Sequence, residues 1–157
     1  VEQHPYIFCG TVRENLGFGD YQSSSDEALW AALEKVGLAE TFRQRQGLES
    51  RIADRAENLS EGQIYRLGLA RALLSDRPFL LLDEPFAALD GDATKRVVSI
   101  IDALRRDKGI VLVTHHMPEQ LECDAVYQFC DDQESLAIEG RARLEGSRGL
   151  EWQGRGE

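Results

Sequence analysis

Basic residues are scarce in this chain. Lys and Arg number 18 against 28 Asp and Glu, a net charge of −10. Nucleic acid and anionic lipid both repel such a balance, which argues against attachment to either by bulk charge and leaves only a local basic patch. Long apolar runs are missing too. No stretch approaches the roughly 20 apolar residues of a membrane span, and no charged-then-apolar signal segment opens the sequence. Cysteine is sparse: Cys9, Cys123 and Cys130 stand far apart and form no C-x-x-C pair. That spacing argues against a disulfide framework and against a zinc site. These absences read as a soluble piece in a reducing cytosol.

What is present suits a globular core. Apolar residues make up 42% and charged residues 29% of 157, the size of one domain or of a piece of a larger one. Pro5, Gly10, Gly17 and Gly19 punctuate a loop-rich opening over 5–20. Ser24 and Glu27 are spaced as a capping box ahead of Leu29, Ala32, Leu33 and Val36, an i, i+3, i+4, i+7 stripe that Gly37 stops. A second helix covers 39–46, and mixed-charge residues 49–58 form a connection. Ser60 and Gln63 are placed to cap each other at the start of a helix carrying Ile64, Leu67, Ala70 and Leu74 on one face.

After Pro78, Phe79-Leu80-Leu81-Leu82 is an uninterrupted apolar run, suited to a strand buried on both faces of a mostly parallel sheet. A helix over 92–106, with Val97, Ile101 and Leu104 inward, leads to a second buried strand from Ile110 to Val113. This alternation predicts an α/β architecture with helices on both sheet faces. Val126–Cys130 and Leu136–Ile138 read as two short strands. From Gly140 onward five glycines and four arginines lie among few apolar residues, which predicts a frayed or disordered tail over 140–157.

Chemistry concentrates at three places. The first strand ends in Asp83-Glu84, and ligand sites of open α/β sheets lie at the carboxyl ends of their strands. An apolar strand closed by Asp is the pattern that holds Mg²⁺ in phosphate-loop NTPases, and the next carboxylate, Glu84, can accept a proton from an attacking water. On the dipeptide alone, a pair of solvated loop acids reads equally well. The second strand ends in Thr114-His115-His116. A lone histidine at a strand end is more often structural, but two parallel strands deliver Glu84 and His115 to one edge, where an imidazole can bond a terminal phosphate. His4 and His116 read as surface residues. The third place is Leu59-Ser60-Glu61-Gly62-Gln63, where helix-start N–H groups and a hydroxyl form an anion site and Gly62 admits close backbone approach. An ordinary capped helix also explains Ser60 and Gln63, and Glu61 has to point away from any phosphate bound there.

Taken in order, these residues resemble the nucleotide-binding domain of an ATP-binding cassette (ABC) protein over residues 1–130. Gln3 is similar to the family's Q-loop glutamine, with Glu2 where proline is usual. Leu59–Gln63 resembles the signature, with Glu61 replacing a glycine. Phe79–Glu84 resembles Walker B with its glutamate, Ala88-Leu89-Asp90 the D-loop, and His115 the switch histidine. Residues 5–16 are similar to the segment after the Q-loop in exporter-type cassettes. Asp54-Arg55 resembles the loop before the signature, although Ala53 and Ala56 replace usual glycines.

The resemblance implies a partial P-loop NTPase: a mostly parallel α/β core with a helical subdomain over 11–75 and the rest of the catalytic core over 76–139. It implies the C-terminal part of a transporter's ATPase domain, with ATP and Mg²⁺ as cofactors. Two cassettes, identical or different, meet head to tail. Asp83 orients Mg²⁺, Glu84 polarises the attacking water, and His115 holds the γ-phosphate. Gln3 senses Mg²⁺ and links the site to a membrane domain, which the resemblance places on the same polypeptide. Ser60, Gly62 and Gln63 close over the opposite cassette's nucleotide, and Asp90 carries state across the dimer. The implied location is the cytoplasmic face of the cell membrane, with no nucleic acid partner. Two alternatives stay open: an ABC-type ATPase of DNA repair or chromosome organisation, and an inactive cassette serving as scaffold.

No G-x-x-x-x-G-K-[ST] phosphate loop occurs in the 157 residues. In the resembled family that loop precedes the Q-loop, so its absence and the initial Val1 read together as truncation. Without the loop's N–H groups and lysine, Asp83 and Glu84 add negative charge beside a polyphosphate that nothing else in this chain holds. This chain alone is therefore expected to show no measurable ATPase. Metal-dependent phosphate release by a clean preparation would contradict that expectation.

Overall fold

The structure, a computed structural model, describes residues 1–18, 24–129 and 136–139. Val1–Leu121 form one compact unit, and a second begins at Glu122. In the first, Gly10–Thr11 (β1) pairs antiparallel with Arg51–Ile52 (β2) and runs into a five-residue helix, Val12–Leu16 (α1). This helix lies within the stretch expected to be loop. Thr11 starts it: its hydroxyl accepts the Glu14 N–H at 3.1 Å, and the Glu14 carboxylate accepts the Thr11 N–H at 2.6 Å. That N–H, above all, holds the Glu14 carboxyl below its ordinary pKa. Because folding depresses this pKa, the stabilisation is present above the unfolded value and lost as pH falls through the folded one.

Asp26–Lys35 (α2) is capped by Ser25, one residue later than the Ser24 cap that the spacing suggested; the Ser25 hydroxyl accepts the Ala28 N–H at 3.3 Å. Leu29, Ala32 and Leu33 are buried, as the periodicity requires. Ala39–Arg43 (α3) is shorter than the expected 39–46, and 3-10 turns at Gly47–Glu49 and Asp54–Ala56 take up the connection.

Glu61–Leu73 (α4) begins with the reciprocal cap expected of Ser60 and Gln63. The Ser60 hydroxyl accepts the Gln63 N–H at 3.2 Å, and the Gln63 side-chain carbonyl accepts the Ser60 N–H at 3.0 Å. Its buried stripe is wider than the periodic one: Tyr65 and Leu69 join Leu67 and Ala70, while Ile64 and Leu74 are only half-buried. Both α1 and α2 pack on α4, and a helix with two neighbours buries more than a single stripe.

Phe79–Asp83 (β3) and Gly109–Val113 (β4) are parallel, in register from Phe79 opposite Gly109 to Asp83 opposite Val113. Gly91–Leu104 (α5) connects them and buries Val97, Val98, Ile100 and Ile101, with Leu104 half-buried. The expectation of two-sided burial is corrected here. Leu80 and Leu82 are buried, but Phe79 is 74% and Leu81 57% exposed, with Val111 and Val113 exposed beside them. Side chains alternate across a strand, so these four share one bare face that no described helix covers. Val1 extends the sheet past β3: its amine donates to the Leu81 carbonyl, and its carbonyl accepts the Asp83 N–H at 2.9 Å. That is the bonding of a parallel neighbour centred on Leu82.

The second unit holds an antiparallel pair, Val126–Phe129 (β5) and Leu136–Glu139 (β6), with Val126 opposite Glu139. These are the two short strands expected at 126–130 and 136–138. Cys130 and the tail 140–157 lie outside the described residues. Among the described residues no helix is long and apolar enough to cross a membrane.

The asymmetry of the β3 faces has a measurable consequence. Leu82→Ala should cost this chain about 2–5 kcal/mol, whereas Leu81→Ala should change its stability by less than about 1 kcal/mol. Urea denaturation of both variants measures the contrast, and equal losses would mean that the two faces are equally covered.

Candidate functional site

The parallel register carries Glu84 and His115 to the same edge of the sheet. β3 ends at Asp83 opposite Val113 of β4, and the Glu84 N–H continues the ladder by donating to the Val113 carbonyl at 2.8 Å. That bond holds Glu84 at φ 45°, a left-handed conformation that costs a residue with a side chain about 1–2 kcal/mol. The carboxylate folds back over the end of β4, leaving the side chain 14% exposed. One oxygen accepts the His115 backbone N–H at 2.9 Å, and the other lies 3.3 Å from the Thr114 hydroxyl. The His115 imidazole is 99% exposed, with Nε2 3.6 Å from the nearer Glu84 oxygen. That separation is too long for a hydrogen bond. The main chain of His115, rather than its ring, binds Glu84 here.

Asp83 sits at the strand tip, half-buried, and among the described residues its carboxylate has no hydrogen-bond or ion-pair partner. A carboxylate so placed suits a hydrated divalent cation: Mg²⁺ keeps several waters and takes one or two protein carboxylates, the remaining ligands being phosphate oxygens. No group of three or more His, Cys, Asp or Glu able to hold a metal occurs among the described residues. Any metal held at Asp83 would therefore draw most of its shell from water or a bound phosphate. The phenol of Tyr65 on α4 is buried with its hydroxyl unpartnered; burial first, and the charge of Asp83 second, push it above its ordinary pKa.

The signature-like residues gather at a second place, where two helices begin. Gly62 lies in the first turn of α4 against the 84–90 loop, and a Cβ there would stand 2.7 Å from the Ala88 carbonyl oxygen. Asp90 closes that loop and caps α5, its carboxylate accepting the Ala93 N–H at 2.8 Å. Arg66 donates to the carbonyls of Gly62, Val36 and Gly37 at 3.1–3.3 Å, and the Asp90 charge favours its protonated form against the burial that lowers its pKa. Ser60 and Gln63 spend their acceptor atoms on the cap, so the Ser60 O–H and the Gln63 NH₂ keep their protons for an outside acceptor. Glu61 is exposed.

Gln3 is exposed in a bend between two anchors. Val1 is bonded into the sheet, and Pro5 lies on Gly68 of α4, where a Cβ would come within 2.6 Å of the proline ring. Arg71 fastens the stretch beyond Pro5, donating to the Tyr6 carbonyl at 3.0 Å and the Asn15 carbonyl at 2.8 Å. Sequence reasoning missed the caps and clamps made by Asp90, Arg66 and Arg71, because their partners are backbone carbonyls and N–H groups that leave no residue-type signal. Thr114 carried one: a hydroxyl directly before His115. A cleft of about 440 Å³ runs along Val1, Tyr6, Arg71, Phe79 and Lys108, and contains none of Asp83, Glu84 and His115. The strand tips, where unpartnered and converging polar groups lie, are the better candidate for chemistry.

Comparison with known proteins identifies the family and the fold. The family model described as ABC transporter matches residues 1–87. A model described as AAA domain, putative AbiEii toxin, Type IV TA system, matches 55–121. An uncharacterized ABC transporter ATP-binding protein of Haemophilus influenzae is 34% identical over 126 residues, 80% of this chain and 22% of that protein. The glutathione/L-cysteine transport system ATP-binding/permease protein CydC of Escherichia coli is 38% identical over 117 residues, 74% of this chain and 20% of that protein. A bacterial Atm1-family ABC exporter with ATP bound superposes with a TM-score of 0.73 at 24% identity, over 80% of this chain and 22% of that one, a likeness of fold. The chain thus spans about a fifth of the length of the curated relatives it matches.

The contact at Gly62 can be probed directly. Gly62→Ala should destabilise this chain by about 1–3 kcal/mol, since a backbone oxygen cannot step aside as a flexible side chain would. Ser60→Ala should cost about 1 kcal/mol through the lost cap. Thermal or urea unfolding reads both, and an unchanged Gly62→Ala would mean that α4 and the 84–90 loop are not in contact in solution.

Proposed function

The chain belongs to the ABC transporter family, and on that footing we propose that it forms part of an ATP-hydrolysing nucleotide-binding domain of exporter type. The observation that carries this reading is the arrival of Glu84 and His115 at one edge of a parallel strand pair, beside the unpartnered carboxylate of Asp83. In this reading the cassette pairs head to tail with a second one, identical or different. ATP binding and hydrolysis between them drive transport by a membrane domain. The E. coli relative is an ATP-binding/permease protein, which supports a membrane domain on the same polypeptide; in this reading the cassette lies on the cytoplasmic face of the cell membrane.

Each residue has a distinct task. Mg²⁺, if bound, would supply charge neutralisation for the phosphates. Asp83 is the residue to hold it through water. Glu84 accepts the proton of the attacking water as general base. His115 reaches the γ-phosphate with its exposed ring while its main-chain N–H stays on Glu84. Gln3, held between the Val1 and Pro5 anchors, senses the metal and the water and relays them to the membrane domain. Ser60 and Gln63, with protons to donate, and Gly62, with exposed backbone, close over the phosphate held by the opposite cassette. Asp90 links that closure to the 84–90 loop. This reading divides the chain into a helical segment over 11–75 and a core remainder over 76–139.

Replacing Glu84 tests the reading. In the intact protein, Glu84→Gln should slow ATP hydrolysis by about 10²–10⁴-fold, the range expected for loss of a general base, while ATP-dependent dimerisation persists. Steady-state phosphate release with sedimentation of the ATP-bound form measures both; turnover unaltered by the change would take Glu84 out of the role.

A further inference from the structure

We propose that Thr114 is a positioning residue for Glu84, its hydroxyl setting the orientation of the carboxylate that serves as base. The proposal rests on the reading of Glu84 given above. Among the described residues Thr114 is the one side chain within hydrogen-bond distance of Glu84. The imidazole of His115, at 3.6 Å and almost wholly exposed, does not fix it. Three atoms define where the carboxylate lies: the Glu84 N–H bonded to the Val113 carbonyl, the His115 N–H on one oxygen, and the Thr114 hydroxyl beside the other. The first two anchor the backbone and one carboxylate oxygen, which still allows the group to rotate about that oxygen. The third point removes the rotation.

The hydroxyl is itself held in place. Thr114 Oγ1 accepts the His116 N–H at 3.2 Å, and its single proton lies within reach of the His116 carbonyl at 2.9 Å and of Glu84 at 3.3 Å. A carboxylate is the stronger acceptor because its charge assists the bond. As Glu84 is largely withdrawn from water, it has little solvent to replace a lost donor. Valine has the shape of threonine and the same branching at Cβ, so exchanging the two removes the hydroxyl with little change of volume.

The experiment is a set of kinetic comparisons in the intact protein. Thr114→Val should lower kcat for ATP hydrolysis about tenfold, the loss expected from one charge-assisted hydrogen bond, with KM changed less than about twofold. Thr114→Ser, which keeps the hydroxyl, should restore kcat to within about twofold of the parent. On a Glu84→Gln background, the valine substitution should add less than about twofold, because the group it positions is already disabled. Thr114→Ala carries the same expectations should the valine variant fail to fold. A kcat that survives loss of the hydroxyl, or falls equally in the serine variant, overturns the proposal. So does a loss fully additive with Glu84→Gln, which would mark an effect of the 114–116 turn alone. Undiminished turnover in Glu84→Gln itself would instead remove the base, and this proposal with it.

Discussion

The parallel pairing of β3 with β4 is the constraint on which the rest of the site depends. Its register sets Asp83 opposite Val113, and the Glu84 N–H then has only the Val113 carbonyl to meet. A slip of one residue would turn every side chain of the strand to the other face. Leu80 and Leu82 would leave the interior, and Glu84 would lose its place over β4. The register is defended because one face is buried and the other is not. Parallel strands also require a crossover, which a tight turn cannot supply. Here α5 provides it, seating Val97, Val98 and Ile101 in the interior.

The two helix starts depend on the same strand tip at one remove. The chain leaves β3 at Glu84, passes Ala88 against Gly62 of α4, and ends at Asp90, which caps α5. Arg66 binds the Gly62 carbonyl and interacts with the charge on Asp90. The loop of 84–90 is thereby bounded by a strained residue at one end and a helix cap at the other. Its middle lies against the start of the helix that bears Ser60 and Gln63. Two stretches far apart in sequence, the start of α4 and the 84–90 loop, share a boundary because one carbonyl, that of Ala88, lies where only a glycine could pass.

Elements whose signal is local were the legible ones. The Ser60–Gln63 cap, the stripe of α2 and the apolar run of β3 each lie within a few residues, so propensity and spacing find them. The misses have equally definite causes. The helix after Thr11 is too short to show a period, and only its reciprocal cap betrays it. Ser25 prevailed over Ser24 because neighbouring serines offer the same hydroxyl and backbone geometry chooses between them. The bare face of Phe79, Leu81, Val111 and Val113 could not be foreseen, since a run of apolar residues says that a face suits burial and not whether anything covers it.

The order of the motifs, the acids at one strand end and the histidine at the next, the capped glycine-bearing helix start and the surplus of negative charge were all determined by sequence alone, because each is a matter of residue type and short spacing. Which atoms meet was decided only in three dimensions. The main-chain N–H of His115, and not its ring, holds Glu84; Thr114 supplies a hydroxyl; Asp90 is a cap as well as a motif residue; Arg66 and Arg71 find carbonyls. Backbone groups are common to every residue, so bonds to them leave no mark on the order of letters and arise when strand register and helix packing bring distant stretches together.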